Sequence, residues 1–463
     1  MESRRGAVEK IFRSGAHPHR CRRFACDEES AHPRLLVDRL APRSHWRAAV
    51  DSRTIGRRPS SCTARHVTIT CADCGATQAI PDLPPGGFVE CHRCDRLLAR
   101  RSDEGTRLAL ACAIAIVILL PLAAFLPLMG STFYNVLFGE SRLVSSVAVI
   151  YSEVWFPFAF GFLFFALLFP WLRATLQILV LTGINIPQRG RIFRFSEELR
   201  LWSMTEVVVI AGYVAYYRAS ISSTVGLQTG ALCYIAVAIF TWIGDHALDR
   251  RSVWNSILPD TIEYPTRHYA SCDVCELAAL DRRPGDYCPR CGSRLDRPIW
   301  PRYIPAAAAV VAAIPLTIPA YSAAIMINDN LTGVLEHTIL GTVQLLADRG
   351  YWEVGVVVLV AGVFLPVVEL LGLVWLLARV RFPNVRGLVR RTRAYRILHR
   401  LVRWPMIIPF IAALAAPIIK FHGIDDIVAG PGATPLFVII ALLMLAIRLF
   451  EPKLMWRTAG VPA

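Results

Sequence analysis

The sequence predicts an all-α polytopic membrane protein: eight transmembrane helices arranged as two parallel tetraspan repeats, each preceded by a small four-cysteine ribbon. Three observations carry this reading. The 463 residues are 54% hydrophobic and only 18% charged, with a mean hydropathy of +0.45, above what a water-soluble domain of this length shows. Apolar stretches approaching or exceeding the roughly 20 residues that cross a bilayer recur along the chain. Eight of the 13 cysteines fall into four Cys-x-x-Cys pairs at related positions.

Residues 1–66 are polar, rich in arginine and broken by Pro18, Pro33, Pro42 and Pro59, with no apolar core of a cleavable signal peptide. They read as a disordered basic extension. A first ribbon is expected at 67–101 and a first tetraspan unit at 102–254; a second ribbon follows at 267–299 and a second unit at 300–457. The expected spans of the first unit are Leu108–Met129, Val154–Leu181, Trp202–Tyr217 and Leu227–Leu248. Those of the second are Ile304–Ile327, Val354–Leu377, Trp404–Ile419 and Thr434–Phe450. The third and seventh are short and need flanking residues to complete a crossing.

The chain carries a net charge of +15, and 47 of its 50 basic residues are arginines. Their location decides what the charge means. Arg379, Arg381, Arg386, Arg390, Arg391, Arg393, Arg396, Arg400 and Arg403 fall between the sixth and seventh expected spans without one acidic residue. Arg189, Arg191, Arg194 and Arg200 dominate the loop after the second. The alternate loops hold mainly Glu140, Glu153, Asp329, Glu336, Asp348, Asp425 and Asp426. Positive loops stay on the cytoplasmic side, so both termini and both ribbons are expected there. A positive-inside loop explains the nine arginines without a nucleic-acid partner.

The duplication is legible in spacing. Trp202, Met204, Arg218, Asp249 and Trp254 recur as Trp404, Met406, Lys420, Glu451 and Trp456, all at an offset of 202. Upstream, Cys71 matches Cys272, Cys94 matches Cys291, and Pro170 and Arg173 match Pro366 and Glu369. Four spans per repeat make an even number, so both halves enter the membrane in the same direction.

Each ribbon offers four thiols: Cys71, Cys74, Cys91 and Cys94 in the first, Cys272, Cys275, Cys288 and Cys291 in the second. Two such knuckles place four sulfurs at the corners of a tetrahedron, which satisfies a zinc ion and leaves no open position. Two Zn(2+) per chain are expected, in structural sites. Iron in a rubredoxin-like site uses the same donors, and spacing does not choose between the metals. Gly75 and Gly292 directly follow a knuckle, where a tight turn needs a small residue. His92 lies within a knuckle whose four sulfurs already close the site.

Paired ribbons, each leading into a tetraspan unit with a proline and a charge three residues on in its second helix, a Trp-x-Met opening its third and an acidic-x4-Trp after its fourth, resemble the paraquat-inducible protein A family. The resemblance covers roughly Cys71 to Trp456. It implies a bacterial inner-membrane protein that works with an MCE-domain periplasmic or inner-membrane partner and moves phospholipid between inner and outer membranes. The family's second-helix pattern is approximately Ser-x3-Pro-x2-Lys. Here the corresponding residues are Ala166, Pro170 and Arg173 in one half, Gly362, Pro366 and Glu369 in the other. The hydroxyl is absent and the second cation has become an acid.

Arg173 and Glu369 lie about eight residues from the cytoplasmic ends of their spans, roughly 12 Å deep at ~1.5 Å per residue. A charge near the centre of a span costs about 2.5–3.5 kcal/mol unless it faces water or protein. Pro170 and Pro366 each free a backbone carbonyl one turn earlier. The four residues are therefore candidates for a polar membrane site. The alternative is that Arg173 and Glu369 form an ion pair that only braces the repeats. Arg218 and Lys420, at the outer ends of their helices, are candidates for lipid headgroup contact. No phosphate-binding loop, nucleophile elbow or zincin helix occurs, so ATP-hydrolysing and protease readings lack their residues, and no enzyme activity is expected. An iron-binding electron-transfer protein and a non-transporting scaffold are the competing functions.

Overall fold

The structure, a computed structural model, describes residues 67–461 except 81–82, 85, 102–103, 134–135, 153–155, 185, 221–223, 260–268, 281, 296–299, 331–332 and 421–424. The basic extension at 1–66 lies outside the described residues. The first ribbon is two antiparallel hairpins, β1 (Val67–Thr70) with β2 (Thr77–Ile80) and β3 (Phe88–Glu90) with β4 (Leu97–Arg100). From it the chain enters α1 (Gly105–Phe125), then the hairpin β5 (Met129–Phe133) and β6 (Val136–Ser141) and the short helix α2 (Leu143–Ser152). The second long helix comprises α3 (Phe156–Phe162), a π-helical segment (Leu163–Leu168) and α4 (Phe169–Leu181). Then come the basic helix α5 (Arg189–Trp202), α6 (Thr205–Ala219), strand β7 (Thr224–Leu227), α7 (Thr229–Ala247) and α8 (Arg250–Ile257).

The second half runs through the same kinds of element in the same order. Its ribbon contains β8 (Tyr269–Ser271) and β9 (Ala278–Leu280). Helix α9 (Trp300–Ser322) leads to β10 (Met326–Asn330), β11 (Gly333–His337) and α10 (Ile339–Asp348). The next long helix is α11 (Trp352–Leu359), a π-helical segment (Val360–Phe364) and α12 (Leu365–Arg381). Basic helix α13 (Leu388–Leu401), a 3-10 turn (Trp404–Met406), α14 (Ile407–Lys420), β12 (Asp425–Ala429), α15 (Ala433–Leu449) and α16 (Lys453–Thr458) complete it.

Among the described residues six helical segments are long and apolar enough to cross a membrane: Gly105–Phe125, Phe158–Leu181, Thr229–Ala247, Tyr303–Ser322, Trp352–Arg381 and Leu388–Leu414. The last joins α13, the 3-10 turn and the start of α14. The third and eighth expected spans fall on the shorter helices α6, of 15 residues, and α15, of 17. Helix α1 packs on α4 and α7, and α9 on α12 and α15; α6 and α14 pack on each other and join the halves.

The molecule is mostly helical, not all-α. At the end of the helices away from the ribbons, β5 sits between β6 and β7, with Met129 opposite Ser141 and Leu227. In the second half β10 sits between β11 and β12, with Met326 opposite His337 and Ala429. Each sheet thus ties the loop after the first helix to the loop before the fourth. The expected spans through Met129 and Ile327 were too long: both residues lie in strands, because apolar strand residues extend a hydropathic run without changing its character. Trp202 likewise ends α5 instead of opening the third helix.

Proline explains the break in each second helix. Pro170 has no N–H for the Ala166 carbonyl, and the π register sends the Phe169 amide to Phe164, releasing Phe165 as well. Both carbonyls find partners outside this helix. The Tyr234 hydroxyl of α7 donates to Ala166 at 2.8 Å, and the Met204 amide donates to Phe165 at 3.2 Å. In the second half the Tyr321 hydroxyl of α9 donates to Gly362 at 3.0 Å, whereas the Met406 amide bonds Arg403 at 3.3 Å.

Candidate metal centres and intramembrane charges

The four knuckles share one backbone design. The amide four residues after the first cysteine donates to that cysteine's carbonyl: Gly75 to Cys71 at 2.9 Å, Asp95 to Cys91 at 2.9 Å, Glu276 to Cys272 at 3.1 Å and Gly292 to Cys288 at 2.9 Å. This closure requires positive φ, which is 76° at Gly75 and 67° at Gly292 but also 55° at Asp95 and 60° at Glu276. The strain at the two acids is offset by ion pairs, Asp95 with Arg393 at 2.7 Å and Glu276 with Arg96 at 3.1 Å.

All eight cysteines are buried. Sγ separations are 3.6 Å for Cys71 and Cys94, 3.6 Å for Cys74 and Cys91, 3.4 Å for Cys272 and Cys291, and 3.6 Å for Cys275 and Cys288. A tetrahedron with metal–sulfur contacts of ~2.3 Å has edges of about 3.8 Å, so both sets fit one ion apiece with little movement. As thiols they perturb one another: Cys71 is pushed down to about 6 by its hydrogen bond with Cys74, and Cys272 to about 7 by that with Cys275. Hydrogen bonds from Cys71 and Cys272 respectively also lower Cys91 and Cys291. The same mutual hydrogen bonds raise Cys74, Cys94, Cys275 and Cys288, so within each cluster two thiols are lowered and two raised. His92 stays out of the set, its Nδ1 lying 2.6 Å from Gln78 Oε1.

The ribbons dock crosswise. The first precedes the first half yet sits on α13 of the second: Arg396 reaches Asp73 with Nε at 2.7 Å and the Cys94 carbonyl and Sγ with Nη2 at 3.0 and 3.2 Å. The second sits on α5 of the first half, where Arg194 donates to the Cys291 carbonyl at 3.3 Å. Gly190 packs so closely on Arg290 that a Cβ there would collide with its carbonyl oxygen. Arg194 and Arg396 are themselves 202 positions apart, so equivalent arginines grip the fourth cysteine of opposite ribbons. The ribbons also meet directly, through a bridge between Ile69 and Leu277. The arginine-rich loop therefore has partners within the chain, which spacing alone did not reveal.

The intramembrane charges are arranged differently from expectation. Arg173 is only 4% exposed in its side chain and pairs with Asp245 of α7, not with Glu369. Arg200 approaches the same carboxylate at 3.5 Å. Asp245, missed from the sequence, is an acid within an apolar run; only the fold brings α7 against α4. Glu369 is 1% exposed, and neither carboxylate oxygen has a hydrogen-bond partner among the described residues. The inter-repeat ion pair is thus a correction: each charge lies within its own half beside its proline. Arg218 is in α6 and Lys420 ends α14, but the side chains of both lie outside the described residues.

Membrane-length helices in two halves of the same element order, with two four-cysteine clusters and charges buried beside broken backbone, define a polytopic membrane protein. The chain belongs to the paraquat-inducible protein A family, whose model matches residues 107–257 and 305–460. These segments lie in the two helical halves. The chain is 24% identical over 409 residues to "Intermembrane transport protein PqiA" of Escherichia coli (strain K12), covering 85% of this chain and 96% of the relative. It is 25% identical over 406 residues to a "Probable intermembrane transport protein" of Haemophilus influenzae, covering 84% and 95%. To "Lipophilic envelope-spanning tunnel protein A" of Escherichia coli (strain K12) it is 24% identical over 398 residues, covering 83% and 90%. No solved structure matches the chain.

Proposed function

We propose that this protein is an inner-membrane component of a lipid transport system linking inner and outer membranes, passing phospholipid to or from a periplasmic MCE-domain partner. The names of its relatives support intermembrane transport. The observation that carries the reading to this chain's residues is Glu369: a buried carboxylate with no partner among the described residues, one turn beyond a π-helical break in a membrane-length helix. That place lacks one positive charge, which either a proton or the ammonium of a headgroup supplies. Pro366 and the π segment let the helix adjust there without losing regular hydrogen bonds.

The proposed topology has eight crossings as two parallel tetraspan repeats, with termini and ribbons cytoplasmic. The sheets support it, since each pairs two loops that an even crossing pattern puts on one side. The chain divides into the basic extension, ribbon 1, repeat 1, ribbon 2 and repeat 2. Each ribbon holds one zinc ion in a closed structural site and braces the opposite repeat.

Lipid transfer between reconstituted vesicles, with and without Glu369→Gln, tests the proposal. Transfer is expected to fall while expression and zinc content hold, because the amide keeps its shape but neither titrates nor carries charge. Unchanged transfer overturns Glu369 as the site. Stoichiometric iron with visible thiolate absorption supports the electron-transfer reading instead.

A further inference from the structure

The first half contains an apolar cavity of about 170 Å³ that the polar sites do not use. It runs beside α6 from Val208 to Tyr216, about 12 Å at ~1.5 Å per residue. Met129 and Leu227, a cross-strand pair of the sheet, close one end. Tyr234 of α7 is part of its wall, its ring in the cavity and its hydroxyl on the carbonyl that Pro170 released. Leu414, reaching across from α14, closes the side facing the second half.

The cavity has a sequence origin. Gly212 and Leu414 are 202 positions apart, the offset of the repeat, and they face each other where α6 crosses α14. A Cβ on Gly212 would meet only the Leu414 side chain, at 3.6 Å. The leucine fills space at the crossing that the glycine leaves open. Tyr213 and Ile235, 56% and 37% exposed, lie on the rim between α6 and α7, so the mouth opens sideways toward what surrounds the helices.

We propose that this cavity takes one acyl chain of a membrane phospholipid. The inference rests on the membrane reading above and deepens it by assigning a hydrocarbon subsite to the first half. A slot about two helical turns long, lined almost wholly by apolar groups and open at the flank of the helices, matches a slender hydrocarbon and offers no charge to a polar ligand. The surrounding bilayer supplies that hydrocarbon at high local concentration. Tyrosine hydroxyls at the rim suit the boundary between chain and headgroup.

The test is photolabelling of the full chain in phospholipid nanodiscs with phosphatidylcholine carrying a diazirine on one acyl chain. Labelling is expected on the peptides holding Val208–Tyr216 and Ala231–Ile235, above that at Ile118, an exposed residue of α1. Gly212→Leu, which plugs the slot, is expected to reduce cavity labelling to the Ile118 level while zinc content and melting temperature hold. Ala231→Leu, on the opposite wall, gives the same reading if the first variant does not fold. Cavity labelling no stronger than at Ile118, or unaffected by both variants, overturns the proposal. So does labelling by a diazirine fatty acid but not by the phospholipid. Lipid transfer measured alongside separates the two claims: transfer without cavity labelling removes the subsite alone, and cavity labelling without any transfer removes the transport reading alone.

Discussion

The two halves share their element order but handle the same physical problem in opposite ways. Each second helix is broken before a proline, and each carries a charge three residues after it. In the first half every freed group found above is tied down: Arg173 by Asp245, the Ala166 carbonyl by Tyr234, and the Phe165 carbonyl by the Met204 amide. In the second half Tyr321 satisfies Gly362, but Glu369 has no partner among the described residues and the Met406 amide turns to Arg403. The position 202 residues after Asp245 is Ile447, and the neighbouring Arg448 of that helix approaches Glu198 at 3.8 Å instead of Glu369. Among the described residues, one half is braced and the other holds an uncompensated acid. The proposed division of labour follows: the first half holds, the second responds.

The largest effect expected is from the metal centres, because closed four-thiolate zinc sites contribute about 10–16 kcal/mol to the folding of small domains. Cys71→Ser and Cys272→Ser are each expected to lower zinc by one ion per chain and expose their ribbon to protease. The two docking surfaces then distinguish the ribbons. Ribbon 2 shares a buried cluster with Phe193 and Trp254, whose rings stack edge-on at 4.7 Å, and ribbon 1 shares one with Leu398 and Trp456 but adds the exposed and part-exposed ion pairs of Arg393 with Asp95 and Arg396 with Asp73. High salt with a chelator is expected to release the ribbon 1 zinc first. Equal release rates would show that the docking chemistry is immaterial.

Next is the contrast between the buried charges. Asp245→Asn leaves Arg173 buried without its counter-charge and is expected to cost roughly 3–5 kcal/mol, read as a lower melting temperature in detergent. Glu369→Gln breaks no pair and is expected to leave stability unchanged or raise it. Exchange of Arg173 and Glu369 sharpens the point: Arg173→Glu would set two carboxylates together, so the double variant is expected to rescue neither stability nor transport. Rescue would restore the inter-repeat brace.

Much of this arrangement was legible because its signals are local. Cysteine spacing gave both four-cysteine clusters, apolar run length gave the principal helices, and the prolines at 170 and 366 marked where the backbone breaks. What was not legible depends on which helices touch. Asp245 looks like any acid near the end of a span until α7 is set against α4, and Tyr234 and Tyr321 come from non-equivalent helices, so even the repeat does not pair them. The strands at Met129 and Met326 were hidden because hydropathy does not distinguish a helix from the apolar strand that continues it. Arg194 and Arg396 were visible as charge but not as ligands of the ribbons, since charge excess alone already accounted for their position.

Those tyrosines provide the third test. Tyr234→Phe and Tyr321→Phe each remove the hydroxyl that replaces a missing amide and leave a carbonyl unsatisfied, at about 1–3 kcal/mol. If the first half is the braced one, its loss is expected to appear in melting temperature with transport retained per folded molecule. Tyr321→Phe is expected to change lipid transfer as well, because it loosens the helix that carries Glu369. Identical behaviour of the two variants would dissolve the distinction between the halves.

The smallest effect separates the equivalent arginines. Arg396 uses three nitrogens on ribbon 1, including contacts at 2.7, 3.0 and 3.2 Å to carboxylate, carbonyl and sulfur, whereas Arg194 reaches the Cys291 carbonyl once, at 3.3 Å. Lysine keeps the charge but not the planar fork. Arg396→Lys is therefore expected to cost about 1 kcal/mol, consistent with a part-exposed charged network. Arg194→Lys should stay within about 0.5 kcal/mol, the ordinary range for surface changes. Zinc off-rates, read with a chromogenic chelator, report this better than melting does, because the Arg396 hydrogen bond to Cys94 stabilises the thiolate itself. Faster zinc loss confined to ribbon 1 in Arg396→Lys is the expected result; equal loss from both ribbons in either variant would mean that the arginines set the halves' position without touching the metal chemistry.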